Sequence, residues 1–193
     1  GLAMAQQLLQ PGHALVCMAR NATPALQAPA GATLAQWTLD LADGAPAARR
    51  LADWLQAQPA GAYASATLIN NAGVVSPVGP IERADAAELE RSLVVNLVAP
   101  MLIMRRFLRA TEGIALLRRI INISSMGGKI YTPLGSWYHA SKHAVEGWSD
   151  CLRLELKAFN IDVVVIEPGA INTEFADVML QPMLSRSGTG AYA

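Results

Sequence analysis

T-L-I-N-N-A-G, residues Thr67 to Gly73, is the stretch on which the reading of this chain turns. A short apolar, β-branched run that closes on two amides, a small residue and a glycine reads as a buried strand ending where backbone can approach a flat ligand. Gly73 has no Cβ to block that approach, and the asparagine side chains can hydrogen-bond neighbouring strands. Taken alone, N-N-A-G is equally a tight turn. Its surroundings decide. Residues 14–19 (A-L-V-C-M-A), 34–41, 67–70, 119–124 and 162–167 (D-V-V-V-I-E) read as five strands, and residues 2–9, 46–58, 84–110 and 137–159 carry helical apolar spacing between them. Short apolar runs alternating with longer amphipathic ones predict a doubly wound α/β fold, a parallel sheet with helices on both faces. Pro46 suits a first helical turn, whereas Pro100 interrupts the third helix.

Composition narrows the function classes. The chain has 193 residues, 52% of them hydrophobic, enough for one core, so residues 1–193 are expected to form a single domain. Fifteen basic and fifteen acidic side chains cancel, which removes the electrostatic case for nucleic acid or an anionic membrane and favours a small neutral partner. The two cysteines, Cys17 and Cys151, lie in apolar runs and read as packing residues of a reducing compartment. No apolar run reaches the roughly 18 residues of a membrane span, and no charged-then-apolar leader opens the sequence, so a cytoplasmic protein is expected. There is no internal repeat, and only residues 21–32 are biased, toward Ala and Pro.

Y-H-A-S-K supplies the chemistry. Tyr138 and Lys142 are four residues apart at the head of a predicted helix, so they project from one face on neighbouring turns. A free phenol titrates near about 10 and is a poor proton donor or acceptor at neutral pH; a cation beside it favours the phenolate. Ser125, thirteen residues earlier (138 − 125) at the end of a predicted strand, can hydrogen-bond an oxygen on which charge develops. The plain alternative is that Tyr138 packs and Lys142 is solvated, since this spacing suits any exposed helix. In open α/β sheets, however, ligands bind at the carboxyl ends of the strands, where Asn71 to Gly73, Ser125 and Pro168-Gly169 converge.

With these motifs in order, the chain resembles the short-chain dehydrogenase/reductase family over nearly its whole length. N-N-A-G at Asn70 to Gly73, V-N at Val95-Asn96, N-I-S-S at Asn122 to Ser125, Y-H-A-S-K at Tyr138 to Lys142 and E-P-G-A-I-N-T at Glu167 to Thr173 carry the likeness. The resemblance implies a Rossmann-type fold and hydride transfer between a nicotinamide and a carbonyl or alcohol. In that scheme Tyr138 exchanges the proton, Ser125 holds the substrate oxygen, Lys142 lowers the Tyr138 pKa and binds the nicotinamide ribose, and Asn96 anchors a relay water. Ser124 is the rival for the serine role, one residue further from Tyr138. Cofactor contacts are implied at Gly1, Arg20, Asn21, Asp40, Leu41, Asn71, Ala72, Gly73, Tyr138, Lys142, Pro168, Gly169, Ile171 and Thr173, with Asp40 and Leu41 against the adenine.

Two departures from the family pattern shape the expectation. Similar proteins open with a strand running into T-G-x-x-x-G-x-G, of which Gly1 matches only the last glycine. The first strand and the C-terminal tail are thus expected to be missing from this chain, which would leave two strands without their shared neighbour at the centre of a 3-2-1-4-5-6 sheet. Cofactor choice is read at Ala19-Arg20-Asn21, where a family member using NAD would carry an acid. With Arg20 there instead, NADP(H) is favoured over NAD(H); the alternative is that Arg20 is only a solvated charge.

The remaining features are quieter. His139 and His143 have metal-ligand spacing on a helix but no further ligands in evident reach, and no metal is expected. Trp37, Trp54 and Trp148 read as core or interface residues, and Trp137 is ambiguous beside Tyr138. Residues 126–137 and 175–184 would border the substrate, and their large apolar side chains suit a neutral, fairly hydrophobic ketone or secondary alcohol. Sterols, retinoids, aromatic ketones and acyl chains all stay open. The long third and fourth helices are those that similar proteins pair into homodimers or homotetramers. Two competing readings are an inactive Rossmann-fold fragment and a cofactor-sensing regulator without turnover.

Overall fold

The computed structural model describes residues 1–171 and 180–185. Among the described residues five strands form, β1 (Ala14–Ala19), β2 (Thr33–Thr38), β3 (Tyr63–Asn70), β4 (Ala115–Ile123) and β5 (Ile161–Ile166), separated by helices α1 (Leu2–Leu8), α2 (Gly44–Gln56), α3 (Ala86–Leu93), α4 (Ala99–Ala110) and α5 (Ser136–Leu156). All pairings are parallel, as the alternation predicts. β3 and β4 each begin four residues before their expected start. A-S-A at residues 64–66 has little strand preference of its own, but in-register pairing from Tyr63↔Ala115 to Asn70↔Asn122 extends both strands together. β2 stops at Thr38, short of the expected residue 41, because Asp40 turns the chain by accepting a hydrogen bond from the Ala42 N–H at 2.9 Å.

The third predicted helix is continuous in space but changes pitch. Asp85 caps α3 by accepting from the Glu88 N–H, Val94–Val98 widens into a π turn, and α4 then carries Pro100 in its first turn. The wider turn accommodates a residue with no N–H to give and a ring that would strike the preceding carbonyl. It also places Asn96 inward, buried at 3% exposure.

The strands form two sheets, β1-β2 and β3-β4-β5. β1 pairs on one side with β2 and β3 on one side with β4; among the described residues neither has a second partner strand. A cavity of about 1150 Å³ lies between them, lined by all of β1, by most of β3 and by Leu2, Met4, Ala5 and Leu8 of α1. The halves are joined instead by α2 against α4: a Cβ at Gly44 would lie 2.7 Å from the Ala99 Cβ, so only glycine permits that approach. Leu51, Leu55, Ile103, Phe107, Leu68 and Ile120 continue the core from there into the larger sheet.

Candidate active site

The carboxyl ends of β3, β4 and β5 and the head of α5 meet at one mouth of the cavity. Asn70 donates from Nδ2 to the Asn122 Oδ1 at 2.8 Å, and Asn122 donates to the Ser149 Oγ at 2.9 Å, locking the two strand ends to α5. That fixes the backbone from which Ser125 and Tyr138 reach each other. Burial raises the Tyr138 pKa above its ordinary value, while a hydrogen bond with Ser125 pulls the other way. Ser124 is buried with its Oγ beside Gly128 and has no hydrogen-bond partner among the described residues. Ser125, not Ser124, therefore faces the phenol.

Lys142 lies behind Tyr138, its Nζ 5.8 Å from the ring centroid and donating to the Ile123 carbonyl at 2.9 Å. Burial lowers its pKa to about 8, partly opposed by the Glu146 carboxylate one turn on. The expected depression of the Tyr138 pKa by Lys142 is not what this arrangement has: desolvation dominates, the phenol is pushed up, and Ser125 is the group working against it. Lys129, bridging Glu146 at 3.1 Å and Glu167 at 3.6 Å, ties the turn after Ser125 to α5 and to the end of β5.

Asn96 has its amide committed. It accepts from the Val74 N–H and donates to the Val74 carbonyl, both at 2.8 Å, and donates its second hydrogen to the Ser141 Oγ at 3.0 Å. Both amide hydrogens are used, clamping the segment after Gly73 to α5. Gly73 sits against this clamp, with the Asn96 Oδ1 and the Lys142 Nζ each 3.6 Å from where its Cβ would be.

The other expected contacts share the same cavity. Gly1, Arg20, Asn21, Asp40, Leu41, Asn71, Ala72, Pro168, Gly169 and Ile171 line it together with Gly73, Ser125, Tyr138 and Lys142. Thr173 lies outside the described residues, as do residues 175–179 of the expected substrate border. Asn96 stands behind the wall, not on it. Arg91, which no sequence motif marks, donates to the Asp40 Oδ2 at 2.8 Å and, ahead of the Ala42 N–H, holds the Asp40 carboxyl below its usual range. Arg20 adds a weaker pull on the same carboxylate. Ser141 and Glu146 are signalled only by an i+3 and i+4 spacing from Tyr138 and Lys142.

A family model described as short chain dehydrogenase matches residues 1–182. The chain belongs to that family. It is 34% identical over 164 residues to human "Dehydrogenase/reductase SDR family member 9", covering 83% of this chain and 49% of that one. It is 39% identical over 110 residues to the "NADPH-dependent 3-dehydrocapnine reductase" of Ornithobacterium rhinotracheale, covering 55% and 38%. A short-chain dehydrogenase/reductase crystal structure from Burkholderia vietnamiensis superimposes with a TM-score of 0.75 at 29% identity, covering 99% of this chain and 86% of that one. The chain spans about half the length of the human relative.

The residues present fit a dinucleotide of the kind this short-chain dehydrogenase family binds. One cavity runs from the exposed Arg20 guanidinium at the β1 end, past the asparagines and glycine after β3, to the Lys142 ammonium and the Ser125-Tyr138 pair. A cation at each end, with Asn71, Ala72 and Gly73 between, suits an anionic dinucleotide laid along the strand ends. Among the described residues, no group of three or more His, Cys, Asp and Glu side chains could hold a metal ion. His139 bonds protein groups through both ring nitrogens, and the His143 ring stacks on Tyr131 at 4.9 Å.

Proposed function

We propose that the chain is the catalytic and dinucleotide-binding unit of a cytoplasmic, NADP(H)-preferring carbonyl reductase or alcohol dehydrogenase acting on a neutral, fairly hydrophobic ketone or secondary alcohol. The observation that carries this is the Ser125-Tyr138 hydroxyl pair at the cavity mouth with Lys142 behind it. A bound nicotinamide dinucleotide supplies the two-electron reducing or oxidising equivalent. Tyr138 supplies the proton: with its pKa raised by burial, the phenol is protonated at neutral pH, the form that can give a proton to a carbonyl oxygen. Ser125 accepts from the Gly127 N–H at 3.0 Å and directs its own hydrogen to Tyr138, from which a substrate oxygen bound beside the phenol would take it over. Lys142, with a second and third ammonium hydrogen beyond the one given to Ile123, holds ribose hydroxyls and restores the Tyr138 proton through water at Asn96.

The NADP(H) preference rests on Arg20, and a relative described as NADPH-dependent and a 30%-identical oxidoreductase structure solved with NADP, at a TM-score of 0.62, support it. An apolar substrate suits the exposed Met126, Ile130 and Tyr131 after Ser125. Pairing of the long helices into a homodimer or homotetramer is part of the same reading.

Tyr138→Phe tests it. Turnover should fall by roughly a thousandfold or more while NADPH affinity changes little, because only the transferable proton is lost. Near-normal turnover overturns the assignment, and loss of NADPH binding makes Tyr138 a packing residue.

A further inference from the structure

His139 is buried, 8% exposed, next to the tyrosine that exchanges the proton. Its Nδ1 lies 2.8 Å from the Gly127 carbonyl oxygen, a group that only accepts, so Nδ1 carries the hydrogen. Its Nε2 receives the Thr132 N–H at 3.1 Å, a group that only donates, so Nε2 is the bare acceptor. One neutral tautomer satisfies both. The Thr132 hydroxyl, 2.8 Å from Nε2, then also donates to it. Two glycines make room for the ring: a Cβ at Gly127 would lie 3.3 Å from Nδ1, and one at Gly135 would lie 3.3 Å from Nε2.

Gly127 links this ring to the reacting groups. Its carbonyl is held by His139 and its N–H is given to the Ser125 Oγ, so both of its polar groups are fixed and a glycine's backbone freedom is removed at that point. A serine oxygen that already accepts a hydrogen bond directs its hydrogen elsewhere, here toward Tyr138 and the oxygen that would bind beside it. We infer that His139 is a positioning residue for Ser125, acting through Gly127 to aim the serine hydroxyl at the reacting oxygen. Its second nitrogen separately pins Thr132, in the segment expected to border the substrate. The inference rests on the reading of Ser125 as the holder of that oxygen.

Two substitutions separate the two nitrogens. In His139→Asn the side-chain amide occupies the place of Nδ1 and can still donate to Gly127 but cannot reach Thr132. In His139→Gln the amide oxygen occupies the place of Nε2 and can accept from Thr132, while the Gly127 carbonyl loses its donor. With NADPH and a neutral aryl ketone as probe, His139→Asn should keep kcat within about twofold and raise KM, whereas His139→Gln should lower kcat about tenfold with KM and NADPH affinity nearly unchanged, the size expected for one hydrogen bond. Placed in Ser125→Ala, His139→Gln should cost less than about twofold more, since the group it aims is gone. Ring 15N shifts in the wild type should report a proton on Nδ1 and none on Nε2, independently of turnover. Equal kcat losses in the Asn and Gln variants, multiplying losses in the double variant, or an Nε2–H tautomer would overturn this inference while leaving the role of Ser125 standing. Full turnover in Ser125→Ala would overturn both.

Discussion

The β3-β4-β5 half and the β1-β2 half arise from the same alternation of strand and helix, yet they are held by different means. In the larger half, buried amides and hydroxyls run from Asn70 through Asn122 and Ser149 to the Val145 carbonyl, so strand ends and helix are locked in one register at the chemistry. In the smaller half, α1 has no buried residue, and the order comes from Gln36 clamping the Thr23 N–H at 2.7 Å and from Trp37 wedged between Arg50, 4.7 Å from its ring, and Trp54. Between the halves lies the cavity, with one edge of β1 and one of β3 facing it. The proposed proton-transfer groups Ser125, Tyr138 and Lys142 are thus built from contacts within one half. Arg20, proposed to select the cofactor, depends on how the other half is held beside it.

The most forceful way to change that contrast is to fill the gap. Placing an apolar strand ending in T-G-x-x-x-G ahead of Gly1 pairs two open edges, and at ~1 kcal/mol per hydrogen bond plus apolar burial the gain should be on the order of 5 kcal/mol. Thermal melting should rise on the order of 10 °C, with tighter NADPH binding. An unchanged melting temperature would mean that the β1-β2 half does not need the contact.

A next effect, confined to the larger half, comes from Lys142. Its folded pKa of about 8 lies below the ordinary lysine value, so below pH 8 the folded state carries a constant penalty for a buried ammonium. Between about 8 and the unfolded value near 10.5 the unfolded chain holds the extra proton, and stability rises with pH by on the order of 3 kcal/mol. Urea titrations of the wild type and Lys142→Met across pH 7.5 to 10 should show that rise only in the wild type. Parallel curves would place Lys142 in solvent.

Asn122→Ala should cost about 2 kcal/mol, because it leaves the Asn70 amide without its acceptor and removes the bond that the Ser149 hydroxyl accepts. Equilibrium unfolding measures it, and a cost no larger than that of an exposed substitution would dissolve the contrast between the halves. The smallest expected effect tests the other side. Ala19→Asp combined with Arg20→Ala should turn a roughly tenfold preference for NADPH into one for NADH, read as the kcat/KM ratio at low and high salt. A ratio indifferent to salt and to both substitutions would make Arg20 a solvated charge.

The amino-acid sequence by itself determined the strand-helix alternation, the parallel sense of the sheet and the positions of Ser125, Tyr138 and Lys142, because hydrophobic period and four-residue helical spacing are local properties of a chain. Only the tertiary structure decided the rest. The four extra residues of β3 and β4 exist because each strand pairs with the other, not because A-S-A prefers to extend. Ser125 and not Ser124 bonds Tyr138 because Oγ directions depend on the turn that follows β4, and the Tyr138 pKa is raised because burial outweighs that hydrogen bond. Arg91 on Asp40 and His139 on Gly127 join residues 51 and 12 positions apart in the chain. No local pattern encodes such pairs; packing brings them to hydrogen-bond distance, and desolvation then sets what their charges can do.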